Sequence, residues 1–244
     1  MNSIYVHIPF CPRRCSYCDF FSTTSLHKQK QYIDAVCLEL KQRQDYLLSR
    51  KIDTIYLGGG TPSTLHPDLL SKLFDTLDNL FDLSELLECT IECNPDDIQA
   101  DYLQALKNMP INRISMGAQS AQRDELRALG RLHTWEDVCR TVADARAAGI
   151  ENINLDFMLG IPHQTPETLA DTLSRALALE PAHMSAYTLM LEEGTPFYRR
   201  GRESLGLPAD EDTADEQAVA LWEQASATLR EAGYEHYEIS NYAR

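Results

Sequence analysis

Short runs of β-forming residues alternate along this chain with longer segments of helical period, and that alternation leaves few folds open. The runs fall near Ile4 to Ile8, Thr54 to Leu57, Leu87 to Glu92, Arg113 to Met116, Asn152 to Met158 and Met184 to Met190, and a helical segment follows each. Consecutive βα units pack as parallel strands with their helices outside. The expected class is therefore α/β with six parallel strands, as one large domain over residues 1–244, a length that supports a full core.

The helices carry their own punctuation. Thr134 with Asp137 predicts a capping box ahead of Trp135, and Gly149 is placed to end that helix. Thr165-Pro166 reads as an N-cap followed by proline in the first turn, with Leu169, Leu173, Ala176 and Leu177 as the buried stripe. The last helix is expected to bury Ala218, Trp222, Ala225 and Leu229 before Gly233. The stretch from Glu192 to Asp210 is long for a connection and is expected to be a lid or disordered; its Arg199, Arg200 and Arg202 read first as a solvated basic loop, and alternatively as a cluster that meets ligand carboxylates.

Strand alternation says more about function. In the third run Leu87, Cys89, Ile91 and Cys93 share one face, while Glu88, Thr90 and Glu92 share the other. In the fifth, Ile153, Leu155 and Phe157 oppose Asn152, Asn154 and Asp156. Parallel strands covered by helices usually read as continuous apolar runs, so a systematically polar second face needs a destination. A barrel lumen that holds a polar ligand supplies one.

The net charge of −15 argues against a nucleic-acid partner, whose phosphates need clustered Lys and Arg. No stretch is long and apolar enough for an integral membrane segment, and the start lacks the features of a signal peptide, so a cytoplasmic location is expected. Seven cysteines in a reducing compartment fit a metal site better than a disulfide framework.

Three of those cysteines, Cys11, Cys15 and Cys18, lie within eight residues. Three thiolates hold one soft metal centre and leave one coordination position for something that binds or reacts. A zinc site would need a fourth ligand, most simply His7, and usually paired Cys-x-x-Cys units, whereas the spacing here is Cys-x3-Cys-x2-Cys with no second pair. Cys37, Cys89, Cys93 and Cys139 fall on apolar strand faces or inside helices and read as small core residues.

The spacing, with the aromatic Tyr17 just before the third cysteine, resembles the signature of radical S-adenosylmethionine (SAM) proteins. Further segments carry the likeness: Gly58-Gly-Gly-Thr-Pro62, Glu92-Cys-Asn-Pro95, Arg113-Ile-Ser-Met-Gly-Ala-Gln-Ser120, Leu129-Gly-Arg-Leu-His-Thr134, Asn154-Leu-Asp-Phe-Met-Leu-Gly-Ile-Pro162 and Tyr234-Glu-His-Tyr-Glu-Ile-Ser-Asn-Tyr242. Together they are similar to the oxygen-independent coproporphyrinogen III oxidases and their relatives, the HemW-type heme chaperones, over essentially the whole chain.

The resemblance implies a partial (β/α)6 barrel of the radical SAM type. It implies a [4Fe-4S] cluster on Cys11, Cys15 and Cys18, whose fourth iron takes SAM. By the same likeness Tyr5, Tyr17, Gly59, Gly60, Thr61 and Glu92 lie at the SAM, the glycine turn facing its amino group and Glu92 its ribose. Gln119, Arg131 and Asp156 match positions that meet a second SAM or the substrate side. Three glycines after a strand would also let backbone N–H groups approach a ligand.

One position separates the branches of the family. The oxidases carry a further cysteine two residues after the third, where this chain has Phe20. The chaperone branch is therefore expected: heme or a porphyrin as cargo, apo-proteins as recipients, and a reductant such as flavodoxin or ferredoxin. The alternative is coproporphyrinogen III dehydrogenation by radical decarboxylation of propionates. The sequence also stops inside a segment that in the family leads into a smaller C-terminal domain, so a fragment is expected.

Overall fold

The computed structural model describes residues 2–47 and 49–244. It is an α/β fold built on mostly parallel strands, and the chain divides into two compact units. Among the described residues no helix is long and apolar enough to cross a membrane.

The first unit comprises Met1–Arg14, Phe20–Ile114 and Asp144–Glu151. Its strands β1 (Ser3–Ile8), β2 (Thr54–Gly59) and β3 (Glu88–Cys93) pair in parallel in that order, with Val6 level with Leu57 and Leu57 with Ile91. Side chains alternate across a strand, so Val6, Ile8, Ile55, Leu57, Cys89, Ile91 and Cys93 form one buried layer. The helices α1 (Gln29–Gln42), α2 (Pro67–Leu80) and α3 (Ala100–Leu106) bury Ile33 and Cys37, then Leu70, Leu73, Phe74 and Leu77, then Leu103 and Leu106. Pro67 begins α2 because a first-turn residue needs no N–H, and His66 caps it by accepting from the Asp68 amide.

Two readings of the third strand change. Leu87 lies outside β3 and is exposed, because the strand starts at Glu88. Thr90, on the polar face, is fully buried and donates its hydroxyl to Glu88 Oε1 at 2.7 Å. The burial is tolerated because the hydroxyl is bonded.

The second unit comprises Cys15–Asp19, Ser115–Ala143 and Asn152–Arg244. It takes most of β4 (Arg113–Gln119), then α4 (Arg123–Leu129), most of α5 (Trp135–Ala147), β5 (Asn152–Leu159), α6 (Pro166–Leu177) and β6 (His183–Thr188). β5 and β6 are parallel, with Asp156 level with Ser185. The cap of α5 forms as the sequence predicts: the Thr134 amide donates to Asp137 Oδ2 at 2.8 Å and the Asp137 amide to Thr134 Oγ1 at 3.3 Å. Thr165 caps α6 in the same reciprocal way with Thr168.

Beyond β6 the structure departs from the sequence reading. β6 stops at Thr188, so Met190 lies outside it and exposed. The stretch from Glu192 to Asp210 is folded: it holds α7 (Pro196–Arg200) and a 3-10 turn at Glu203–Leu205. Phe197 and Leu205 anchor it by burial against Leu129, Met158 and Ile161. α8 (Glu211–Glu231) buries Leu221, Ala225, Ser226 and Leu229, while Ala218 and Trp222 are half-buried. Leu177 of α6 is likewise only half-buried and Thr172 takes the core place. Two short antiparallel strands, β7 (Glu235–His236) and β8 (Asn241–Ala243), add to β6 in the order β6-β8-β7.

Candidate functional site

In the first unit the loop after β1 is tied by backbone bonds. The Cys11 amide donates to Thr23 O at 3.0 Å, and the Thr23 amide to Pro9 O. The turn after β2 reaches back to the same loop, with the Gly60 amide on Ile8 O at 2.8 Å and the Thr61 amide on Phe10 O at 2.7 Å. Buried Thr61 then donates its hydroxyl to Cys11 Sγ at 3.5 Å and accepts from Asn94 Nδ2 at 3.2 Å. A hydroxyl donor of this kind orients the sulfur it touches.

Glu92 is half-buried at the polar face of β3, and both of its oxygens accept hydrogen bonds. Tyr56 gives its hydroxyl to Oε1 at 2.8 Å and Gly59 its amide to Oε2 at 3.0 Å. Tyr5 is exposed, with its hydroxyl 3.1 Å from His7 Nδ1. Partial burial raises the Tyr5 phenol above its ordinary value, and the Glu92 charge raises it further.

The glycine turn behaves differently from the sequence reading. Its amides at Gly59, Gly60 and Thr61 are spent on Glu92, Ile8 and Phe10, so none is held out for a ligand. The glycines serve close approach instead. Gly59 has a φ of +117°, and a Cβ there would lie 2.4 Å from the His7 ring; a Cβ on Gly60 would lie 2.8 Å from Phe10 O. An ammonium group is a donor, so carbonyl oxygens of such a turn are what suit it.

In the second unit Cys15, Tyr17 and Cys18 lie among side chains of β4, β6 and the loop after α4. Arg131 Nη1 is 3.7 Å from Cys15 Sγ, while its Nη2 donates to Gly117 O at 2.8 Å. The Ser16 carbonyl accepts from the Phe197 amide at 3.0 Å, and the Tyr17 ring tilts against the Phe197 ring with centroids 6.3 Å apart. Burial pushes the Tyr17 hydroxyl well above the usual phenol range; Arg131 opposes this and Cys15 and Cys18 add to it. Tyr17 is therefore a neutral donor at any working pH.

Gln119 closes β4 with a left-handed φ of +65°, an uncommon state for a residue with a side chain. It is buried, and Tyr187 on β6 donates its hydroxyl to Gln119 Oε1 at 3.0 Å. Burial and the nearby Asp156 charge push the Tyr187 phenol far up. Asp156 accepts from Asn154 Nδ2 at 2.6 Å. Tyr187 escaped the sequence reading, although His183, Ser185 and Tyr187 are spaced by two on β6, as a polar strand face requires.

The predicted residues thus fall into two groups. Tyr5, Cys11, Gly59, Gly60, Thr61 and Glu92 belong to the first unit, and Cys15, Tyr17, Cys18, Gln119, Arg131 and Asp156 to the second. Among the described residues no three His, Cys, Asp or Glu side chains are gathered into a metal-holding group. Among the described residues no cysteine is in a disulfide; Cys11, Cys15 and Cys18 are half-buried, Cys37, Cys89 and Cys93 are buried as small core residues, and Cys139, expected with them, is only half-buried on its helix. Half-buried thiols are soft donors of the kind a thiolate-ligated cluster takes.

The profile of the radical SAM superfamily matches residues 5–176, about seven-tenths of the chain. This chain belongs to the radical SAM superfamily. Radical SAM proteins use a [4Fe-4S] cluster and SAM. Among its relatives are the proteins named "Heme chaperone HemW" of Bacillus subtilis, 37% identical over 100% of this chain and 64% of that protein, and of Escherichia coli, 35% identical over 99% and 62%. The radical SAM chain thus spans about five-eighths of the length of these relatives. Among solved structures, the coproporphyrinogen III oxidase HemN of Escherichia coli superposes with a TM-score of 0.87 at 31% identity, over 99% of this chain and 55% of that one. The radical SAM fold is shared more distantly by the methyltransferase TsrM of Kitasatospora setae, with a TM-score of 0.60 at 19% identity.

Proposed function

We propose that this chain is the radical SAM part of a heme chaperone of the HemW type, which binds heme and delivers it to apo-proteins. The observation that carries this reading is the agreement of relatives: those of Bacillus subtilis, Lactococcus lactis, Haemophilus influenzae and Escherichia coli, 35–37% identical over at least 99% of this chain, bear that name. Phe20 supports it, since an aromatic ring cannot supply the thiol that the oxidases carry there. A cytoplasmic setting suits seven free thiols.

Cys11, Cys15 and Cys18 would hold the cluster. The bound cluster supplies redox chemistry to SAM. The chain's own residues do the holding. Thr61 and Arg131 donate to the Cys11 and Cys15 sulfurs and so orient them. Tyr5, Gly59, Gly60 and Glu92 offer SAM acceptor oxygens and one aromatic face; two ribose hydroxyls would donate to Glu92 in exchange for the Tyr56 and Gly59 donors it now takes. Tyr17, Gln119, Arg131 and Asp156 offer a second polar surface. Flavodoxin or ferredoxin would serve as reductant.

Anaerobic titration of the cluster-reconstituted protein with heme, followed by its absorbance, and with SAM, followed by equilibrium dialysis, tests the reading. Saturable binding of both is expected, with SAM binding lost in a Cys11→Ala, Cys15→Ala, Cys18→Ala triple variant. The 0.87 TM-score to coproporphyrinogen III oxidase favours a second reading, radical decarboxylation of propionate side chains. Formation of protoporphyrinogen IX from coproporphyrinogen III, SAM and a reductant would replace the chaperone reading with that one.

A further inference from the structure

We propose that Tyr187 is a positioning residue that fixes which end of the Gln119 amide meets a ligand, and so sets the site to accept an oxygen rather than a donor. This rests on the reading of Gln119 and Arg131 as ligand-binding residues.

A glutamine amide has a carbonyl oxygen that accepts and an NH2 that donates, and a half-turn about its last torsion exchanges them. Tyr187 removes that freedom. Its hydroxyl is neutral, since burial and the Asp156 charge hold its proton on, and it donates to Gln119 Oε1 at 3.0 Å. With the oxygen engaged, Nε2 is the end that remains to donate. It lies over Gly117: a Cβ there would come within 2.8 Å of Gln119 Nε2 and 3.1 Å of Arg131 Nη2. Arg131 Nη2 there already donates to Gly117 O at 2.8 Å, so Gln119 Nε2 is the donor that faces the space the missing side chain leaves, and an N–H there meets an acceptor oxygen of a ligand.

The backbone shows the same investment. Gln119 is held at φ +65°, a state that persists only where its surroundings enforce it. Ser120, the next residue, is fully buried and donates its hydroxyl to Glu125 Oε2 at 2.6 Å. Glu125 is buried too, and its other oxygen takes the Thr168 hydroxyl at 2.6 Å. The Ala121 amide donates to Thr172 Oγ1 at 3.2 Å. This polar clip fixes the main chain just after Gln119, and Tyr187 fixes the side chain. A core turn that only had to pass from strand to helix needs neither device.

Two measurements test the role of Tyr187. In the ligand-free protein, the Gln119 side-chain NH2 pair is assigned in a nitrogen-15 spectrum by its loss in Gln119→Ala. Tyr187→Phe, which removes one oxygen and keeps the ring, is expected to shift that pair, with an unchanged melting temperature. In the cluster-loaded protein, Tyr187→Phe is expected to weaken SAM binding roughly three- to tenfold, the effect of one lost hydrogen bond, and to have no effect in a Gln119→Ala background.

An unmoved amide signal, or the same weakening with and without Gln119, would overturn the proposal. Gln119→Glu serves as a second variant: Tyr187 can still donate to it, but its other oxygen repels an acceptor, so binding is expected to fall further than in Tyr187→Phe. Absence of SAM binding in the native protein would count against the proposed function instead, and the amide spectrum would still decide for or against Tyr187.

Discussion

Replacing Gly59 with alanine asks whether the glycine turn is shaped by close approach to β1, as the structure indicates. Two costs add. A side chain at φ +117° occupies a backbone region that L residues rarely adopt, a penalty of about 1–3 kcal/mol. The new Cβ would also stand 2.4 Å from His7 Cε1 and 2.5 Å from Nδ1, so the ring must leave. His7 is held by Tyr5 OH at 3.1 Å and by Phe21 O at 3.0 Å, and losing both bonds at this half-buried position costs about 1–2 kcal/mol. The sum of about 2–5 kcal/mol corresponds, for a chain of this size, to a melting temperature lower by roughly 4–20 °C.

Differential scanning calorimetry of the cluster-free protein measures the shift. His7→Ala in the same background separates the terms, because it removes the ring that the methyl group meets. The double variant is expected to be more stable than the two single effects added together predict, by about the cost of moving the ring. Strictly additive effects, or a Gly59→Ala melting temperature within a degree of native, would refute the close-approach argument.

Three further perturbations address other parts of the molecule. Brief alkylation of the cluster-free protein at pH 8, read by mass spectrometry, is expected to modify half-buried Cys11, Cys15 and Cys18 and to spare Cys37, Cys89 and Cys93 until it unfolds. Burial pushes the Cys89 thiol up to about 12 from its ordinary 9.0, so its contribution to stability is complete below pH 9 and fades as pH climbs towards 12; a flat stability between pH 9 and 11 would contradict this. Phe197→Ala empties the centre of the cluster formed with Leu129, Met158, Ile161 and Leu205, at a cost of about 3–5 kcal/mol. It is expected to expose Arg199 and Arg200 to trypsin, and equal cleavage rates in native and variant protein would show that Phe197 does not anchor α7.

The parts of the fold legible in the sequence are those whose signals are local. Alternation fixed the places of the first six strands because each buried face repeats every second residue, as in Ile55 and Leu57 or Ile153, Leu155 and Phe157. Thr134 with Asp137 and Thr165 with Pro166 marked their helix starts because a cap is satisfied within four residues. The parts that escaped depend on distant partners. β7 and β8 are two and three residues long and exist through pairing that leads back to β6. The 192–210 stretch looks like a lid because Phe197 and Leu205 are isolated apolar residues there, and only the fold brings Met158 and Ile161 to them. In the site, the cysteine spacing pointed to Cys11, Cys15 and Cys18, but nothing local to Tyr187 reveals that it holds Gln119, 68 residues away.

The polar face of β5 carries a residue whose bonds are all internal beside one that the proposed function places at a ligand. Asn154 and Asp156 look alike in sequence, two polar residues spaced by two on one strand. Asn154 is buried, and its amide is saturated from within. Its Nδ2 donates to Ser115 Oγ at 2.8 Å and Asp156 Oδ1 at 2.6 Å, while its Oδ1 meets His183 Nδ1 at 2.7 Å and Ser185 Oγ at 3.3 Å. A side chain with two donors and two acceptor positions, all engaged, has nothing left to give a ligand. Asn154 ties β4, β5 and β6 together. Its replacement by leucine would break its bonds to Ser115, Asp156, His183 and Ser185, so the loss should appear as instability of the cluster-free protein. Asp156 is half-buried, close enough to Tyr187 to act on its phenol. Replacing it with asparagine should change ligand affinity more than melting temperature. The two replacements thus separate a side chain whose bonds are all internal, Asn154, from Asp156, whose proposed role is at the ligand.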